Sequence, residues 1–126
     1  MATVLGTSLG LLTGYLRGIV DDVASRFIDG VLALPLIITS IFIVTAVGNT
    51  GRWVVTLIIG LVFTPVISRT VRAGVLAEAE LDYVQAARLR GERSHYIMFS
   101  EILPNVMSLV VVEFTVRLGY AIFAIA

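Results

Sequence analysis

Lysine and cysteine are both missing from this chain, and histidine occurs once. Without lysine there is no P-loop lysine to reach the phosphates of a nucleotide, so these residues do not hydrolyse ATP by that mechanism. Without cysteine there is no disulfide, no thiolate nucleophile and no cysteine-ligated metal. One histidine is too few for a multi-histidine metal site, and no cofactor is implied. Charge is scarce as well: acidic and basic residues together make up 14% of the chain, nine of each sign, for a net charge of zero. Because the arginines are interleaved with carboxylates and not gathered into a patch, there is no nucleic-acid footprint and no nucleic-acid partner is expected.

What is present is apolar. Hydrophobic residues account for 58% of the chain and the mean hydropathy is +1.00, more than an ordinary soluble domain carries. The reading is an all-α, polytopic transmembrane protein in contact with lipid, forming a single domain over residues 1–126. Met1 to Leu16 is uncharged and lacks the positive n-region and the small-residue cleavage site of a signal peptide, so it is expected to be a retained span. Within and just beyond it Gly6, Gly10, Gly14 and Gly18 recur every four residues, which places them on one helical face. In lipid, where apolar side chains gain little by meeting each other, such a face favours close helix association.

From Ile19 to Gly30 the apolar positions Val20, Val23, Ala24, Phe27 and Ile28 alternate with Asp21, Asp22, Ser25, Arg26 and Asp29, the pattern of an amphipathic helix at a membrane surface. The charges are read as a solvated face, with Asp22 and Arg26 spaced to pair. No charge lies between Asp29 and Arg52, so Val31 to Gly48 is expected to span, with Pro35 near its start where missing hydrogen bonds cost least. Gly48-Asn49-Thr50-Gly51 is a turn cluster, and Trp53 suits the membrane–water interface. Val54 to Ser68 is short for a span unless its charged flanks are also helical or Arg52 and Arg69 snorkel, and Pro65 is expected to kink it or end it early. Val106 to Ala126 begins a further span.

The sizeable polar block is Leu81 to Asn105, LDYVQAARLRGERSHYIMFSEILPN. Good helix formers fill Leu81 to Arg90, and Gly91 follows where a left-handed stop is cheapest. A second helix is expected from Ser94, an N-cap residue type, until Pro104, which lacks an N–H and disfavours helical geometry at Leu103. The result is a helix–turn–helix between spans.

These residues resemble a family signature. In permease subunits of binding-protein-dependent ABC importers, one cytoplasmic loop carries Glu-Ala-Ala, three residues, Gly, then nine residues to an apolar position shortly before Leu-Pro. Gln85-Ala86-Ala87, Gly91 and Leu103-Pro104 keep that spacing. Gln85 stands where the family usually has Glu, and Glu101 stands at the usually apolar position. Asp82-Tyr83-Val84, Ile102-Leu103-Pro104-Asn105 and, earlier, Gly14-Tyr15, Asp21, Arg26, Asp29 and Leu34-Pro35 resemble the dipeptide, oligopeptide and nickel branch.

The resemblance implies a multi-pass subunit of a prokaryotic inner membrane, forming part of a translocation pathway for peptides or a related small solute. It also implies a second permease subunit, an extracytoplasmic solute-binding protein, and ABC ATPase subunits that hydrolyse ATP for the complex. The coupling loop, about residues 73–104, would sit in a groove of the ATPase, with Asp82, Tyr83, Gln85, Ala86, Ala87, Arg88, Arg90, Gly91, Arg93, Leu103 and Pro104 as its docking residues. Arg88, Arg90 and Arg93 either pair with acidic residues of that partner or anchor the cytoplasmic side. Family members usually have a further span before the region matching Met1 and continue past Ala126. The chain is therefore expected to be part of a longer permease, unable to support uptake alone.

Glu113 and Arg117 lie four apart in an apolar run, where an ionisable residue costs at least roughly 2.5–3.5 kcal/mol at the bilayer centre. They are read as an inward-facing pair, either lining the path or facing another subunit. His95 is read as an interfacial or hydrogen-bonded residue, since no second titratable group is placed to relay a proton. Two rival functions are weighed. One is a membrane scaffold docking a soluble partner through the helix–turn–helix. The other is a membrane enzyme using Glu113, which lacks the paired acid or base such chemistry needs, so the chain is not read as an enzyme.

Counting arginines beside the spans places Arg17, Arg26, Arg69, Arg72, Arg88, Arg90 and Arg93 on one side and Arg52 on the other, so the first side is predicted to be cytoplasmic. The cysteine-free background makes this directly testable. A single cysteine within Gly48–Gly51 should label from outside the cell and one beside Arg90 from the cytoplasm; the reverse pattern would invert the topology.

Overall fold

The computed structural model describes residues 1–48 and 51–125, and among these the regular elements are all helical. They run α1 (Ala2–Leu16), α2 (Ile19–Leu32), α3 (Leu36–Val47), α4 (Arg52–Ala79), α5 (Asp82–Leu89) and α6 (Ser94–Tyr96), which continues through a π-helical segment (Ile97–Ile102) into α7 (Leu103–Ile125). Among the described residues two helices are long and apolar enough to cross a membrane: α4, and the rod Ser94–Phe123 built from α6, the π segment and α7. The bent pair α2–α3 makes a third if counted as one broken span.

α4 is the mast of the fold. α1 packs along it more extensively than any other two elements pack, and the glycine stripe is the reason. A Cβ built on Gly6 would lie 2.7 Å from Ile67 Cβ, one on Gly10 2.7 Å from Val71 Cβ and 2.8 Å from the Ser68 carbonyl oxygen, and one on Gly14 2.8 Å from Val75 Cβ. Glycines stepping by four on α1 thus meet β-branched residues stepping by four on α4, with the two backbones nearly in contact. Gly18 does not join the stripe. With φ +80° it forms the corner into α2 beside Arg17 (φ +47°), and no atom lies within 4 Å of its added Cβ.

Several expectations are corrected. Val31 to Gly48 is not one helix: α2 keeps Val31 and Leu32, and α3 leaves at 85°. Pro35, with ψ 119°, occupies the N-cap of α3. Its missing N–H is harmless there, but its extended ψ breaks the rod. Gly48 ends α3 with φ +67° and Gly51 caps α4, while Asn49 and Thr50 of the expected turn lie outside the described residues.

Neither internal proline stops a helix. α4 runs for 28 residues through Pro65, its charged flanks being helical, and Leu103 before Pro104 keeps φ −54° and ψ −45°. The wide π turn ahead of Pro104 accommodates the ring without interrupting the rod. At Pro65, inside the apolar run, a broken helix would leave backbone groups with no water to meet, so the local proline penalty loses to continued hydrogen bonding.

The core joins α1, α4, α5, the π segment and α7 through Leu11, Ile67, Val71, Val75, Ala79, Val84, Ala87, Ile97, Ile102, Val106 and Val110. Gly10→Ala should lower stability in detergent by about 1–3 kcal/mol, as overpacking does. The same change at Gly30, whose added Cβ meets nothing, should be neutral or stabilise by up to about 1 kcal/mol through helix propensity. Equal unfolding midpoints for the two variants would contradict the close α1–α4 contact.

Candidate functional site

The polar block folds as a joint between α4 and the α6–α7 rod. α5 begins at Asp82, whose carboxylate suits the positive end of a helix. It ends in a Schellman turn: Gly91 N–H donates to the Arg88 carbonyl (3.0 Å) and Glu92 N–H to the Ala87 carbonyl (3.3 Å). The turn requires Gly91 at φ +76°, the left-handed conformation that costs other residues most. After Arg93 the chain re-enters helix at Ser94.

The block is braced to three neighbouring helices. Gln85 Nε2 donates to the Ala79 carbonyl at the end of α4 (3.0 Å). Glutamate at this position would present a second acceptor to that carbonyl, so the glutamine is chemically matched to its contact here. Arg88 stacks its guanidinium 5.0 Å from the ring centre of Tyr15 on α1. Arg90 pairs with Glu92 (3.1 Å) and Glu101 (3.6 Å), so the unusual Glu101 has a cation to meet. The Tyr83 hydroxyl donates to Glu78 Oε2 on α4 (2.6 Å) and accepts from Asn105 Nδ2 on α7 (3.1 Å). Burial, with the Glu78 carboxylate beside it, pushes the Tyr83 phenol up to about 12, so it remains a protonated donor at physiological pH.

The predicted docking residues do not all share one surface. Asp82, Ala86, Arg88, Arg90, Gly91 and Arg93 are exposed, and Tyr83 and Gln85 are half-buried. Ala87 has no exposed surface: with Val84 it forms the inner face of α5, and its small size serves packing within the chain. Leu103 is half-buried, and both it and Pro104 lie inside the α7 rod, so they shape that helix and do not belong to the loop tip.

Leu89 was not singled out, yet it is 89% exposed, the most exposed large apolar side chain among the described residues. Spacing relates Leu89 to Ala87 once the buried face is known. Val84 and Ala87, three apart, define the buried face of α5, and an apolar residue two positions beyond Ala87 falls on the opposite, polar side. Tyr96 and Phe99 add exposed aromatic surface further along.

Two further charged clusters lie elsewhere. The acidic face of α2 is not a freely solvated one. Arg72 donates from Nε and Nη2 to both oxygens of Asp21, each at 2.6 Å, and Ser25 Oγ donates to the same carboxylate at 3.0 Å. The Asp21 side chain is 13% exposed. Arg69 meets Asp29 at 3.4 Å, and Arg17 pairs with Glu80. Asp22 and Arg26 are both exposed and make no ion pair with each other, whereas the α2 carboxylates that form pairs turn toward α4. On α7, Arg117 Nε donates to Glu113 Oε2 at 3.0 Å and stacks 5.7 Å from the Tyr120 ring, forming the expected pair.

These features define a multi-pass helical membrane protein with two charged clusters and a braced polar joint between two membrane-crossing rods. Residues 6–126 match the family described as the binding-protein-dependent transport system inner membrane component, and the chain belongs to that family. It is 35% identical over 123 residues to the glutathione transport system permease protein GsiD of Pectobacterium atrosepticum, covering 98% of this chain and 40% of that protein. It is 34% identical over 125 residues to the dipeptide transport system permease protein DppC of Alkalihalophilus pseudofirmus, covering 99% and 41%. Identity to the oligopeptide transport system permease protein OppC of Lactococcus lactis subsp. cremoris is 38% over 112 residues, covering 89% and 38%. The chain spans about two fifths of the length of these relatives.

Asp21→Asn should cost about 1–3 kcal/mol of stability. That is below the roughly 3–5 kcal/mol for breaking a fully buried pair, because the Arg72 side chain is 30% exposed. Asp22→Asn should stay within about 0.5 kcal/mol of the parent. Equal denaturation midpoints for the two would count against the α2–α4 clamp.

Proposed function

We propose that this chain forms part of the transmembrane subunit of an ABC importer in a prokaryotic inner membrane, moving peptides or a related small solute. A second permease subunit completes the pathway. An extracytoplasmic solute-binding protein delivers the substrate, and separate ATPase subunits hydrolyse ATP. Relatives named as glutathione, dipeptide and oligopeptide permeases support this substrate class. The Glu113–Arg117 pair faces inward from its span, toward the path or a second subunit.

The observation that carries the coupling part of this reading is Leu89, standing 89% exposed at the end of a helix that three neighbouring helices brace. A large apolar side chain projected from a rigid polar joint suits a docking anchor, since burying a leucine in a partner's pocket gains about 1.5–3 kcal/mol over leaving it in water. Asp82, Arg90 and Arg93 give the same exposed stretch its polar rim, Ala86 is exposed beside them, and Arg93 makes no ion pair among the described residues. An apolar pocket with an acidic edge on the cytosolic ATPase complements this surface. Residues 73–104 then act as the coupling loop, moved as a body when the ATPase closes.

In the complete transporter, Leu89→Ala should weaken capture of the ATPase subunit by about 10-fold to 30-fold while leaving membrane abundance unchanged. Gly91→Val should strain the turn by about 1–3 kcal/mol and both weaken capture and uncouple hydrolysis from transport. Gly60→Val, inside α4 and facing Met1, should act on helix packing instead. Pull-down and uptake at matched membrane levels check all three. If Leu89→Ala and Gly91→Val bind and transport like the parent, the loop is not the docking element.

A further inference from the structure

The braces on the loop are not equivalent. Gln85 reaches α4 alone, Arg88 reaches α1 alone, and Arg90 reaches the π segment and its own turn. Tyr83 joins two membrane-crossing rods through a single oxygen. Its hydroxyl donates to Glu78 in the last turn of α4 and accepts from Asn105 in the first turn of α7. Asn105 is itself held by a 2.8 Å bond to the Glu101 carbonyl in the π segment. The ring packs against the core, so a phenylalanine would fill the same space. The hydroxyl is needed only for the bridge.

We propose that Tyr83 is a positioning residue whose hydroxyl makes α4 and α7 move together when the loop is displaced, so that motion received at α5 reaches both rods. This rests on the docking reading above. Without the bridge α5 stays attached to α4 through Gln85, but the tie between Glu78 and Asn105 is lost. α7 then meets the loop and α4 through non-directional apolar packing, through Arg90 and through the turn at Gly91, and the adjoining six-residue π segment, whose altered hydrogen-bond register departs from the rods on either side, is a natural place to yield. The consequence is slippage: the ATPase closes and hydrolyses, but less of that movement reaches the path.

The test uses the complete permease assembled with its ATPase and solute-binding protein in liposomes. Tyr83→Phe removes a hydroxyl turned to Glu78 and Asn105 and should leave abundance and ATPase capture unchanged while substrate transported per ATP hydrolysed falls by about fivefold to tenfold, the scale for losing one hydrogen bond of ordinary net strength. Asn105→Leu should reproduce that fall. Glu78→Gln retains an acceptor for the phenol and should keep a near-parental ratio. An unchanged ratio in Tyr83→Phe overturns the proposal. So does a fall matched by equal loss of capture or abundance, which would make Tyr83 a docking or folding residue. Failure of the docking reading is separate: it would show as normal capture by Leu89→Ala and Gly91→Val, whatever Tyr83→Phe does.

Discussion

Near-contact of two backbones, α1 against α4, is the constraint on which the rest depends. With Gly6, Gly10 and Gly14 facing Ile67, Val71 and Val75, there is room for no side chain between the axes. That contact fixes α1 along the mast and delivers its C-terminal end, with Tyr15 and Arg17, to the end of α4 where the polar joint begins. Arg88 can then stack on Tyr15 and Glu80 can pair with Arg17. The Asp21–Arg72 clamp follows from the same placement, because the corner at Arg17–Gly18 returns α2 toward α4. In lipid, burying apolar side chains gains little over leaving them among acyl chains, so fit and paired charge must supply the specificity.

The three prolines show how environment decides what a local rule does. At Pro35 the chain was free to turn: Ala33 and Leu34 find carbonyl partners at Asp29 and Val31, Thr39 returns to Pro35, and the rod bends by 85°. At Pro65 and Pro104 the helix carries through, and at Pro65 a break inside the apolar rod would strand backbone groups. Thr64 sends its hydroxyl to the Gly60 carbonyl beside Pro65. Ahead of Pro104 the helix widens into the π segment. The same residue type thus ends a helix once and is absorbed twice.

Departures from the family pattern in the polar joint have partners in this chain. Gln85 donates to a carbonyl that a carboxylate could not serve, and Glu101 meets Arg90 across the turn. The joint is exposed but not compliant, because it turns Val84 and Ala87 inward and Leu89 outward from one short helix. Stiffness comes from side-chain contacts to three other helices, because eight residues of isolated helix would be marginal in water.

Much of this was legible in the sequence. Composition and hydropathy determined a helical membrane protein, because an apolar chain of this kind must satisfy its backbone within helices. The four-residue glycine period identified the packing face of α1, and the Gly91 stop, the Ser94 restart and the Glu113–Arg117 spacing are local geometry that any helix imposes. The tertiary structure decided the rest. Which glycine leaves the stripe, which prolines are absorbed, and that the acidic face of α2 turns to Arg69 and Arg72 depend on what lies opposite each residue, and sequence spacing names no partner. Ala87 and Leu89 make the point within one turn of helix: both belong to one stretch, yet one is sealed in the core and the other stands free, because only the positions of α4, the π segment and α7 determine which side of α5 is inside.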